Sequence, residues 1–162
     1  AWSRPKMKAY SWEDLVSQSS HSTNDRPAPD QTEKLFDMKG KNALGRHGED
    51  ETCQYLIDHG HTILERNWRY GHLEIDIISL AGDGIHFVEV KSRTAPVQGE
   101  PQEAVTASKQ RHIASAAGKY MSMKQKYLGR DLEIWFDVAA ITYDGAQVEF
   151  RYFPAAYVPI YS

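Results

Sequence analysis

The chain has 162 residues, of which 41% are hydrophobic and 25% charged, and its net charge is −3. That length supports one domain with a real core rather than two, and no apolar run approaches a bilayer span or forms a signal peptide. A single cysteine, Cys53, excludes an intrachain disulfide and suits a reducing compartment, so a cytoplasmic location without membrane partners is expected.

A mildly acidic chain does not advertise nucleic-acid binding, but the charge is unevenly spread. Residues 1–39 carry six acidic and six basic side chains, and the remainder carries sixteen and thirteen. If four or five of those acids line a cation site, the rest of the surface is close to neutral. Basic clusters occur at "KGKNALGR" (39–46), "RNWR" (66–69), "KSR" (91–93) and "KQRH" (109–112). Arg46, Arg69, Arg93, Lys109 and Arg111 are the phosphate-contact candidates they offer. Scattered solvated charge explains any one of them equally well.

Residues 1–40 are polar and rich in Ser and Pro, without helical or strand periodicity, and read as an extension with little packed structure. Residues 41–162 read as the domain. "NALGRHGEDETCQYLIDHGH" predicts a helix closed by Gly60, with Glu49, Thr52, Cys53 and Leu56 on its inward stripe and Ile57 beside it. Gly45 and Gly48 leave room near its start for another backbone or a ligand. "HTILERNWR" predicts a strand over 61–67. A hairpin follows, with strands near 73–79 and 85–91 about "AGDG". After the loop "TAPVQGEP", a helix over about 101–123 carries Val105, His112, Ile113, Ala116, Ala117 and Tyr120 on one stripe. Two strands around "YDGA" complete an αβββαββ order, which implies an α/β sandwich about one mixed sheet.

The hairpin "HLEIDIISLAGDGIHFVEVKSR" places charge among isoleucines and valines. Strand alternation puts Glu74 and Asp76 on one face, and Phe87, Glu89 and Lys91 on one face. If Leu80 pairs with Ile85, Asp76 lies opposite Glu89 and Glu74 opposite Lys91. If Gly82 pairs with Ile85, Asp76 lies opposite Lys91. Both of these even registers gather the acids and the lysine, whereas an odd, bulged register would not. Carboxylates that close repel, and a hard divalent cation such as Mg²⁺ or Mn²⁺ relieves them. Lys91 is then free to orient water or steady a developing oxyanion. A solvated sheet face with cross-strand ion pairs is the alternative.

None of His47, His72, His86 and His112 has zinc-site spacing. Cys53 reads as core, and Trp68 and Tyr70 as packing groups that are also able to stack on bases. Asp137 in "IWFDVAAI" reads as a satisfied polar residue within the sheet.

The segments "GRHGEDETCQYLIDHGHTILERNWRYGHLEIDII", "FVEVKSR", "GEPQEAVTASKQRHIASAAGKY" and "FDVAAI" resemble the YraN-like family of bacterial proteins, which has the restriction-endonuclease-like PD-(D/E)XK fold. The arrangement also resembles the archaeal Holliday junction resolvases. The resemblance covers about residues 42–153. It implies that Asp76 and Glu89 are metal ligands, with Glu49 helping to hold the ion, and that Lys91 is the catalytic lysine. Glu74 and Gln110 would support the site. It departs at Leu73, where the family has Gly, and at Trp135, where the family has Arg. The implied activity is Mg²⁺- or Mn²⁺-dependent endonucleolytic hydrolysis of DNA, of branched or damaged form; DNA and a second copy of the chain, as a homodimer, are the partners considered. A non-catalytic module that binds nucleic acid or a protein is the rival reading.

Overall fold

Helix α1 (Gly40–Asp58) ends where the sequence reading places its stop. Gly60 takes the left-handed conformation, with φ of 86°, and the His61 amide closes back onto the Leu56 carbonyl at 2.9 Å. Thr52, Cys53 and Leu56 are buried as expected, but Ile57 is 52% exposed. The helix is rotated so that Tyr55, and not Ile57, flanks Leu56, with its ring 5.1 Å from Phe150 and 4.9 Å from Tyr152. Aromatic packing on the far strands outweighs one aliphatic side chain here.

The computed structural model describes residues 8–11, 40–129 and 131–159, with side chains from residue 43 onward except Gln102. Five strands follow α1 in the chain: β2 (Thr62–Tyr70), β3 (Leu73–Ala81), β4 (Gly84–Thr94), β5 (Ile134–Asp144) and β6 (Gln147–Phe153). A 3₁₀ turn (Pro101–Ala104) and helix α2 (Ala107–Leu128) lie between β4 and β5. Thr106, read from sequence as mid-helix, is instead the cap of α2 and accepts from the Lys109 amide at 3.2 Å. Strand β1 (Lys8–Ser11) pairs with β6 and was not anticipated within the polar extension. The small apolar groups at Trp12, Leu15, Val16, Leu35 and Phe36 fall outside the described residues.

The sheet runs β1-β6-β5-β4-β3-β2, antiparallel except for the parallel β4–β5 pair. It is the expected α/β sandwich. One apolar layer joins α1 to Ile77, Val88, Ile141 and Phe150. The other joins α2 to Ile75, Ile78, Phe87 and Val138. Gly48 brings α1 onto β4, since a Cβ there would lie 2.5 Å from Ser92 Oγ and 3.2 Å from Val90 Cγ1. Gly45, by contrast, faces open space.

A polar cluster lies within the α1 layer. Asp137 is 0% exposed; its Oδ2 accepts from His86 Nδ1 at 2.6 Å and from the Tyr152 hydroxyl, and its Oδ1 accepts from the Ala155 amide at 2.8 Å. His86 Nε2 faces Asp83 Oδ1 at 2.8 Å. Burial pulls the His86 imidazole down, but the bonds and charges of Asp137 and Asp83 carry it above its ordinary value. Asp137 is therefore the satisfied polar residue the sequence suggested. Asp137→Ala would leave a buried imidazole and phenol short of an acceptor. A loss of about 3 kcal/mol is expected, read as a lower urea midpoint with an unchanged slope.

Candidate functional site

The β3–β4 hairpin turns tightly through Gly82 and Asp83, so that Ala81 pairs with Gly84 and Leu80 with Ile85. Gly84, with φ of 135°, admits no side chain, because a Cβ would meet the Glu133 carbonyl at 2.3 Å. Of the two registers considered from sequence, this is the one that runs Asp76 toward Glu89. The ladder stops at Ile77↔Val88. Beyond it β3 stays paired with β2 as far as Leu73, and β4 with β5 as far as Thr94. The sheet forks at Asp76 and Glu89.

The fork breaks simple alternation. Ile75 packs in the α2 layer and Ile77 in the α1 layer, where strict parity would place them together. The matching irregularity on β2 is Asn67, with φ of 49°, which the β2–β3 ladder skips between Arg66↔Ile77 and Trp68↔Ile75. Asn tolerates this conformation better than most residues.

In the fork, Asp76 Oδ2 accepts from the Val90 amide at 2.8 Å. Burial, then the Glu89 carboxylate beside it, pushes the Asp76 carboxyl up to about 7, against the pull of the Val90 amide. Glu89 is 6% exposed, and its Oε1 lies 3.4 Å from Lys91 Nζ and 3.6 Å from Lys109 Nζ. Glu49 reaches over from α1, its side chain 14% exposed. Its Oε2 accepts from Asn67 Nδ2 at 2.9 Å and lies 3.9 Å from Arg66. Burial and, further down, the Asp76 charge raise the Glu49 carboxyl, while Asn67 lowers it.

Asp76, Glu89 and Lys91 are thus brought together, with Glu49 within electrostatic reach. Among the described residues, no three His, Cys, Asp or Glu side chains stand close enough to hold an ion as they are. The donor set nevertheless fits a hard divalent cation. Two adjacent carboxylates, one with its carboxyl raised to about 7 by burial and then by the other's charge, are what such an ion would relieve.

Other expected residues sit elsewhere. Glu74 pairs with Arg69 at 3.6 Å on the surface. Gln110 is not turned into the fork, because its amide donates to the Val105 carbonyl at 3.1 Å, tying down the start of α2. Arg46, Arg69, Arg93 and Arg111 lie on different elements, and only Lys109 joins the site. Two groups were not anticipated there. Asn67 is readable only as an Asn inside a strand. Tyr157 has a buried hydroxyl with no protein partner, and after burial it is the Glu89 charge that raises it most.

The family model described as "Uncharacterised protein family UPF0102" matches residues 48–141, a stretch that includes Glu49, Asp76, Glu89, Lys91 and Lys109. The chain belongs to this family, that of the YraN-like proteins. A UPF0102 protein of Rhodococcus opacus (strain B4) is 44% identical over 99 residues, covering 61% of this chain and 81% of that protein. One from Geobacter metallireducens is 44% identical over 115 residues, covering 71% and 92%. Among solved structures, Pyrococcus furiosus SfsA in complex with Ca²⁺ is similar at 14% identity and a TM-score of 0.30, covering 70% of this chain and 63% of that one. Overlap that low bears on neither fold nor chemistry. No helix among the described residues is long and apolar enough to cross a membrane.

The raised Asp76 carboxyl makes a signed prediction. An unfolded aspartate loses its proton near pH 4, whereas native Asp76 keeps it to about 7. Between those values the native state binds the extra proton, so stability falls as pH rises through the window. Asp76→Asn should remove this share of the slope and leave the chelated protein more stable than wild type at pH 8. Urea melts of both proteins at several pH values measure it, and parallel pH profiles would reject the raised carboxyl.

Proposed function

We propose that this chain is a divalent-metal-dependent nuclease that hydrolyses phosphodiester bonds in DNA. The observation that supports it is the fork: a half-buried Asp76 beside a buried Glu89, flanked by Lys91 and Lys109, at the point where a mixed sheet opens. Asp76 and Glu89 would hold Mg²⁺ or Mn²⁺, with Glu49 close by. When bound, the ion supplies Lewis acidity toward the phosphate and lowers the pKa of a coordinated water.

This chain's own groups do the rest. Lys91, drawn toward Glu89, presents a cation where negative charge grows on the phosphorus oxygens. Water adds to phosphorus, the bond to the leaving sugar oxygen breaks, and that oxygen takes up a proton. Lys109 approaches the same Glu89 oxygen from α2, where it balances Glu89 in the resting protein. The Val90 amide fixes the direction of Asp76. Asn67 fixes Glu49, and its left-handed backbone turns that amide toward α1.

One observation favours a non-catalytic binding module instead. Two lysines already neutralise Glu89, so the fold tolerates the pair without an ion. Metal dependence separates the two readings.

Under the nuclease reading, Mn²⁺ should raise the unfolding midpoint in a saturable way, by about 2.7 kcal/mol at a hundredfold excess over Kd. Asp76→Asn should lose most of that response, and Glu49→Gln should weaken it while keeping the fold. Equal wild-type midpoints in Mn²⁺ and in chelator, at matched ionic strength, would remove the metal site. Lys91→Ala should keep the Mn²⁺ response yet abolish nicking of labelled branched DNA. Full nicking by that variant would falsify the role given to Lys91.

A further inference from the structure

Strand β2 ends in Trp68-Arg69-Tyr70 on an outer edge of the sheet. The rings of Trp68 and Tyr70 stack 6.4 Å apart at 12°. Trp68 is anchored edge-on against the buried Tyr120 ring at 5.3 Å. Tyr70 remains 47% exposed. Lys119 Nζ lies 4.4 Å from the Tyr70 ring centroid. The core gains little from Tyr70: the rigid Trp68 beneath it is already held, and the outer ring faces water.

Helix α2 connects this aromatic pair to the fork. Lys109 touches Glu89, and His112 touches the β2–β3 turn, with Nε2 3.1 Å from the His72 carbonyl and its ring 5.6 Å from that of His72. Lys119 then reaches Tyr70. The spacing 109, 112, 119 puts all three on one side of the helix. Ten residues of helix span about 15 Å. The acids along this edge are engaged, Glu74 by Arg69 at 3.6 Å and Glu65 by Lys124 at 3.9 Å. One side of α2 thus runs from Lys109 at the carboxylate pair to Lys119 at an exposed, pre-stacked aromatic.

We propose that Trp68 and Tyr70 form a stacking platform for unpaired bases, with Lys119 and the α2 edge carrying the phosphates. The preferred substrate then has a single-stranded stretch about 10 Å from the bond that is cut, since Tyr70 pairs with Leu73, three strand residues from Asp76. This rests on the nuclease reading and names its substrate class. Bases within a duplex are already stacked and cannot reach a protein ring, whereas unpaired bases stack on aromatic side chains whatever their sequence. Lys119 covers the exposed ring face on a flexible stem, so an arriving base takes its place and the ammonium moves to a phosphate.

The test measures binding apart from cleavage. Full-length protein carrying Asp76→Asn is titrated in chelator against a labelled blunt duplex, and against the same duplex with a short single-stranded extension. The extended duplex should bind more tightly. Adding Tyr70→Ala should cost about fivefold or more in affinity for it, with blunt-duplex affinity unchanged, and Tyr70→Phe should behave as Tyr70. Because Tyr70 is half exposed, the Ala variant should melt as its parent does. Tyr70→Ala binding the extended duplex as tightly as its parent would overturn the platform, as would equal affinity for the two DNAs before Tyr70 is touched. Failure to bind either DNA would overturn the nuclease reading itself, and the platform with it.

Discussion

The ladder between β3 and β4 ends one pair before two carboxylates would face each other, and the site follows from that ending. Directly opposed residues in an antiparallel pair have Cβ atoms about 5 Å apart. Two ionised carboxylates at that separation, out of water, repel strongly. The chain opens the sheet instead. Asp76 takes the amide of Val90, which would otherwise lose its ladder partner, and Glu89 takes two lysines. Each strand keeps its outer neighbour, so the opening is local. α1 lies over one side of the gap and the start of α2 over the other, which is how Glu49 and Lys109 come to the same place from distant sequence.

Two aspartates, Asp137 and the half-buried Asp76, show what separates structure from chemistry. Asp137 is the more deeply buried and accepts three hydrogen bonds, one from an imidazole held between carboxylates. Its requirements are met within the protein. Asp76 accepts one amide, and burial, then the like charge of Glu89, carries its carboxyl to about 7 against the pull of that amide. A carboxyl that the fold leaves with a raised proton affinity is a mark of a functional group. Both aspartates lie in short stretches of aliphatic residues, and composition alone does not tell them apart.

What was legible in the sequence follows the same division. Alternation and turn residues located the hairpin, and the tight turn through Gly82 and Asp83 selected one of the two registers they allowed. The first helix is legible within a few residues because Gly60 is a local signal, whereas the second, read over about 101–123, runs from Ala107 to Leu128 behind a separate 3₁₀ turn. The misplaced details depend on tertiary contact. Ile57 gave way to Tyr55 because the strands opposite supply aromatic partners. Ile75 and Ile77 parted because the strand bends where Asn67 takes a left-handed conformation. Gln110 shared the helical turn of Lys109, and periodicity could not say which of the two would face the fork. The start of α2 decided it, since Thr106 caps the helix and sends Gln110 back onto Val105.

Trp135 shows how one departure from the resembled pattern is absorbed. An Arg two residues before Asp137 would have offered that carboxylate a cation. Here the partner is the imidazole of His86, one strand away, whose pKa the two aspartates raise and which is paired directly with Trp135 in the β4–β5 register. Trp135 donates its indole N–H to the Asp83 carbonyl at 2.9 Å, and its ring lies 6.4 Å from that of His86 at 28°. It thereby holds the hairpin turn whose Asp83 side chain completes the imidazole's surroundings. Replacing a fixed positive charge by an aromatic therefore does not leave Asp137 unbalanced. It transfers the balance to a titratable group on β4, three residues before Glu89 on the strand that also carries Lys91. The position of that strand, and so the geometry of the fork, is tied to a buried imidazole on the opposite face of the sheet.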